Sequence, residues 1–147
     1  MIKITLRPGK EQSSKRLHPW IFSGAIQKIS ATPKEGDLVQ VYSADNEFLA
    51  IGHYQNTSIA VRILSFDDIA IDQAFWNERI ASAYNYRKLL GLTDSTETNC
   101  YRLVHGEGDN LSGLVVDFYN GTAVVQCHSV GMYRNLENIV LALKQIM

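Results

Sequence analysis

Lys15-Arg16-Leu17-His18-Pro19-Trp20-Ile21-Phe22-Ser23-Gly24 is the stretch on which the fold turns. Two basic residues close a polar, helix-permissive segment that starts at Lys10. His18-Pro19 stops it, because a residue preceding proline is pushed out of the α region. Trp20-Ile21-Phe22 is an apolar knot, and Ser23-Gly24 is a turn. Upstream, Ile2, Ile4 and Leu6 alternate with Lys3, Thr5 and Arg7, the period of a strand, which Pro8-Gly9 breaks. Downstream come Ala25 to Ile29, then Leu38 to Tyr42, Phe48 to Tyr54 with Gly52 inside it, and Ile59 to Leu64. Pro33 to Gly36 and Ala44-Asp45-Asn46 separate them as a loop and a hairpin-type turn. Short strands at such spacing predict a small barrel or sandwich.

Residues 67–147 differ in kind. Asp72 is a predicted N-cap for a helix whose Trp76, Ile80, Ala83 and Tyr84 share one face, ended by Gly91. Tyr101 to Val104 reads as a strand. Leu114 to Tyr119 and Thr122 to His128 form a hairpin around Asn120-Gly121, the strongest short hairpin signal. Met132, Leu136, Ile139, Val140, Leu143 and Met147 are predicted to line one side of a single closing helix. That stripe runs to Met147 without a stop signal, and a hairpin with little cover is marginal alone. The expectation is a fragment, with further strands after Met147.

Composition narrows the function. The 147 residues are 46% hydrophobic and 20% charged, which are globular values. No apolar run approaches the ~20 residues of a membrane helix, and no secretory signal opens the chain. Two cysteines make no disulfide framework, so a reducing cytoplasm is the expected location. The net charge of −1 hides an asymmetry. Residues 1–34 hold seven basic side chains against Glu11 alone, a balance of +6, and the remainder carries −7. Such a split fits a basic face aimed at a polyanion, and equally a merely solvated face.

Basic residues beside the knot can meet phosphates, and Trp20 and Phe22 could stack on bases. In so small a domain, however, these two aromatics are expected to be core anchors. Other chemistry finds less support. Gly106, Gly108 and Gly113 lack G-x-G-x-x-G spacing and precede a strand, so they read as turn positions. His53, His105, His128, Cys100 and Cys127 form no metal-ligand pair of standard spacing, and Cys127 reads as a buried thiol. Glu107, Asp109 and Asp117 read as surface turn carboxylates. No catalytic, cofactor or metal residue is assigned.

Arg16-Leu17-His18-Pro19-Trp20-Ile21-Phe22-Ser23-Gly24-Ala25-Ile26 resembles the start of a PUA domain, an RNA-binding pseudobarrel. Gly36-Asp37-Leu38-Val39-Gln40-Val41-Tyr42 and Phe48-Leu49-Ala50-Ile51-Gly52-His53-Tyr54 continue the pattern in order. Tyr101 to Asp109 and Leu114 to Asp117 resemble the central domain of ribosomal-RNA methyltransferases that carry a PUA domain. The resemblance implies a PUA-like β pseudobarrel over residues 1–67. It implies a linking helix and an incomplete α+β domain (strand-strand-helix-strand-strand) over 68–147. The catalytic Rossmann-like domain, with its S-adenosylmethionine and catalytic cysteine, would lie outside the chain, and this chain itself would hold no cofactor.

The expected function is therefore the RNA-binding N-terminal region of an S-adenosylmethionine-dependent enzyme forming 5-methylcytosine in large-subunit ribosomal RNA. The alternative is a stand-alone, non-catalytic RNA-binding or assembly adaptor; a protein-interaction barrel is a third reading. Lys10, Lys15, Arg16 and Arg62 are the phosphate-contact candidates, joined by His18, and Ser23 and Gly24 form a close-approach loop. Expected partners are RNA, ribosomal RNA above all, and no membrane; a homodimer is left open.

Overall fold

The computed structural model describes all 147 residues, which divide into two compact units, Met1–Ile69 and Ala70–Met147. The first unit contains β1 (Ile2–Leu6), α1 (Gln12–Lys15), β2 (Trp20–Phe22), β3 (Ile26–Ile29), β4 (Leu38–Tyr42), β5 (Phe48–Tyr54) and β6 (Ile59–Ser65). Its six strands form one sheet in the order β2-β6-β5-β4-β1-β3. The β1–β4 pair is parallel and its neighbours in the sheet are antiparallel.

This order forces the sheet to curl. Its two edge strands, β2 and β3, are consecutive in the chain and joined by a 3-10 turn of three residues, Ser23–Ala25. A link that short, four steps from Phe22 to Ile26, spans about 14 Å at most, so opposite edges of the sheet meet at this corner. Register shifts at Thr5/Leu6, Ile21/Phe22, Val41/Tyr42 and Ile51/Gly52 supply the bends. Backbone bonds tie the corner down: Arg7 N–H donates to the Ala25 carbonyl and Ser23 N–H to the Ser58 carbonyl, both at 2.9 Å. Ile4, Leu6, Ile21, Val39, Val41, Leu49, Ala50, Val61 and Ile63 fill the interior. Each fully buried aliphatic contributes about 1.5–3 kcal/mol.

Gly52 is required by packing. A Cβ there would lie 2.3 Å from the Arg62 carbonyl oxygen and 2.9 Å from Ile63 Cα, so β5 and β6 could not keep their separation.

Two expectations for this unit are corrected. The helix predicted from Lys10 to Leu17 is a single turn, Gln12–Lys15. Leu17 ends it in the left-handed region (φ 63°), with Leu17 N–H donating to Ser14 and His18 N–H to Ser13. The stop thus acts ahead of Pro19. The aromatic knot is also not wholly core. Ile21 is buried, while Trp20 is half-buried and Phe22 is 49% exposed. A strand alternates faces, so only the middle residue of three reaches the interior.

The second unit contains α2 (Gln73–Leu89), β7 (Cys100–His105), β8 (Leu114–Tyr119), β9 (Thr122–Cys127), α3 (Val130–Arg134) and α4 (Leu136–Ile146). Its strands form an antiparallel sheet, β7-β8-β9, so three strands precede its last helices. Asp72 caps α2 as predicted, its Oδ1 accepting from Phe75 N–H at 3.1 Å. Trp76, Ile80 and Ala83 are buried on one face of α2, as their spacing required. Asn120 and Gly121 both take positive φ in the β8–β9 hairpin.

The single closing helix is instead two, α3 and α4, parted at Asn135. The Asn135 amide donates to the Gly131 carbonyl at 2.8 Å and its Oδ1 accepts from Asn138 at 3.1 Å. Such local bonds compete with helix continuation. Ile139 and Leu143 are buried, whereas Met147 is exposed.

The acidic residues are corrected too. The Asp109 side chain, 8% exposed, makes a two-pronged ion pair with the buried Arg87 of α2, one prong at 2.8 Å. Asp117 lies within β8, where Arg102 of β7 donates to it at 2.8 Å. Neither is a free turn carboxylate.

Candidate nucleic-acid interface

Four of the candidate residues, Lys10, Arg16, His18 and Gly24, line two grooves of the first unit. Pro8-Gly9 turns the chain out of β1, and Gly9 takes φ 81°, which costs glycine little. Lys10 N–H closes the turn on the Arg7 carbonyl at 3.0 Å. Lys10 therefore emerges beside α1, and it lines two adjoining grooves. One, of about 460 Å³, is bounded by Gly9, Lys10, Gln12, Ser13, Arg16 and His18. The other, of about 370 Å³, is bounded by Lys10, Ser13, Ile21, Phe22, Gly24 and Ala25. Lys10 and Ser13 belong to both.

Of the seven residues singled out, Lys10, Arg16, His18 and Gly24 line these grooves. Ser23 is exposed in the same turn as Gly24. A Cβ on Gly24 would meet nothing within 4 Å, so the fold does not demand glycine there. Lys15 lines neither groove; its ammonium lies 3.5 Å from the Glu47 carboxylate. Arg62 lines neither groove. It stands opposite Trp20 across β2–β6 with its guanidinium 6.0 Å from the indole centroid. The basic N-terminal balance is likewise not one patch, since Lys3 bonds Asn46 and lies 4.2 Å over the Tyr42 ring.

Phe22, weighed for stacking but expected in the core, and Ser13, not singled out, also line the grooves. Strand alternation was the available signal for Phe22: once Ile21 is assigned inward, its neighbours must point out. His18 Nδ1 accepts from Trp20 N–H at 3.1 Å, which fixes the imidazole against β2.

Other candidate chemistry is absorbed by structure. Gly106–Asp109 is a 3-10 turn followed by β8, with Asp109 held by Arg87 and Ser112 donating to Glu107 at 2.8 Å. A nucleotide or S-adenosylmethionine site built on glycines needs a following helix N-terminus, so this turn does not fit that cofactor. No three His, Cys, Asp or Glu side chains come together as a metal site. Cys127 is half-buried rather than buried, and burial pushes its thiol pKa up, which lowers its thiolate fraction. No helix is long and apolar enough to cross a membrane.

Known proteins match this architecture. Residues 4–66 match the model of a PUA-like domain. The matched residues take in both grooves and all seven residues above. Over its length the chain is similar to proteins named ribosomal RNA large subunit methyltransferase I. The one from Alteromonas mediterranea is 33% identical over 147 residues, covering 99% of this chain. Those from Pseudoalteromonas atlantica and Yersinia pseudotuberculosis are 39% and 35% identical over 97% of it. The chain spans 36% of the length of each of these relatives. Among solved structures, a Streptococcus mutans protein described as a SAM-dependent methyltransferase superposes with a TM-score of 0.85 over 99% of this chain. That match is 22% identical and covers 38% of that protein, so it speaks for the fold.

Proposed function

We propose that this chain is the RNA-binding N-terminal region of an S-adenosylmethionine-dependent methyltransferase that forms 5-methylcytosine in large-subunit ribosomal RNA. The observation that carries the RNA reading is the convergence of Lys10, Arg16, His18 and Gly24 on two grooves of the PUA-like domain. Cations at a groove neutralise phosphates and release their counterions. Gly24 leaves the groove wall free of a side chain, so a sugar-phosphate strand can come close. Residues 1–67 dock the RNA in this reading, and 68–147 link it to the catalytic domain. The methyltransferase part rests on the relatives, each much longer than this chain.

Two experiments test the reading. The reading frame past the Met147 codon is expected to encode a cofactor-binding domain; a stop codon there leaves the adaptor instead. The full gene product is then supplied with S-adenosylmethionine and large-subunit ribosomal RNA from cells lacking the gene. Methyl transfer mapped to a cytosine C5 supports the assignment, and transfer to another atom or none refutes it.

A further inference from the structure

Alternation turns Trp20 and Phe22 away from the core that Ile21 joins. Phe22 is 49% exposed although it is a large apolar side chain in a strand. It does not stand alone. The His18, Trp20 and Phe22 rings form a closed set, with centroids 5.9 Å apart for His18–Trp20 and 6.2 Å for each of the other pairs. Trp20 is the half-buried hub. It meets both neighbours edge-on, at 71° and 90°, and the Arg62 guanidinium lies near its ring. A T-shaped contact covers at most one face of a ring, and His18 and Phe22 are both exposed.

Each outer ring also borders a cation. Phe22 shares one groove with Lys10, and His18 shares the other with Lys10 and Arg16. Rings and cations that share a groove match what an unpaired strand offers, charged phosphates and open base faces. A continuous duplex offers phosphates, 2′-hydroxyls and base edges, but along its length its base faces are stacked on each other.

We propose that Phe22 and His18 are base-stacking surfaces, buttressed by Trp20, and that the RNA element docked here contains unpaired nucleotides. This rests on the RNA-binding reading above and specifies its substrate class.

The test uses the 147-residue chain with two fluorescein-labelled RNAs of equal length, one single-stranded and unstructured, one a blunt duplex. Fluorescence anisotropy at fixed salt gives both affinities. The single strand is expected to bind at least about tenfold more tightly. Phe22→Ala is expected to weaken single-strand binding about tenfold or more and duplex binding less than twofold. Phe22→Tyr, which keeps a ring, restores single-strand binding to within about threefold of the wild type. Lys10→Glu with Arg16→Glu lowers both affinities. If the charge variant lowers both while Phe22→Ala changes neither, the platform is refuted and the RNA reading survives. If the charge variant changes neither, both fall. Equal losses on the two RNAs in Phe22→Ala also overturn the proposal, as does failure of Phe22→Tyr to restore binding. Circular dichroism of each variant shows whether it is folded.

Discussion

Replacing Arg87 by Met tests what holds the second unit together. The Arg87 and Asp109 side chains are 9% and 8% exposed, so their charges are almost wholly removed from water. Arg87 also donates from Nε to the Arg102 carbonyl at 2.9 Å, and Asp109 accepts from His105 N–H at 2.6 Å. The pair thereby joins α2 to β7 and to the turn before β8. Removing Arg87 leaves the Asp109 carboxylate buried without its counterion, which costs about 3–5 kcal/mol. With a urea slope of about 2 kcal/mol per molar, the midpoint falls by roughly 2 M. Removing both charges, as Arg87→Met with Asp109→Leu, recovers much of the loss, because no unpaired charge remains. The assay is provided by the two tryptophans, Trp20 in the first unit and Trp76, fully buried, in the second. In a Trp20→Phe background, fluorescence reports the second unit alone. A single-variant midpoint shift under about 0.5 M, or a double variant no more stable than Arg87→Met, would refute the reasoning.

Three further outcomes follow from local geometry. Gly52→Ala forces a Cβ against the Arg62 backbone and is expected to destabilise the first unit by about 2 kcal/mol or more, read as a lower melting temperature. Leu17→Gly relieves a left-handed leucine that is exposed and is expected to stabilise by up to about 1 kcal/mol, read by urea unfolding. Cys100, exposed, is expected to react with a maleimide well before Cys127, whose burial and raised thiol pKa both slow it; peptide mass mapping over time shows the order.

Much of this was legible in the chain. The alternation in Ile2–Leu6 placed its strand, and Asp72 and Asn120-Gly121 carry their own local geometry. What escaped depended on partners distant in sequence. Asp109 is 22 residues from Arg87, so nothing local marks its side chain as buried. Asn135 breaks a helix that its apolar stripe alone would continue. The RNA-facing candidates were legible as residue types, but their meeting was not. Lys10 and Phe22 share a groove only because β2 and β3, neighbours in the chain, lie at opposite edges of one curled sheet.

The central proposal is that this corner of the first unit holds RNA through its phosphates. Its most direct measurement is the affinity of the chain for single-stranded RNA across a series of salt concentrations. Two phosphate contacts, from Lys10 and Arg16, predict that log affinity falls with log salt at a slope of about −1.4 or steeper. In Lys10→Glu with Arg16→Glu the slope is expected to flatten by about 1.4. An affinity indifferent to salt, or a slope unchanged in the variant, would contradict the account.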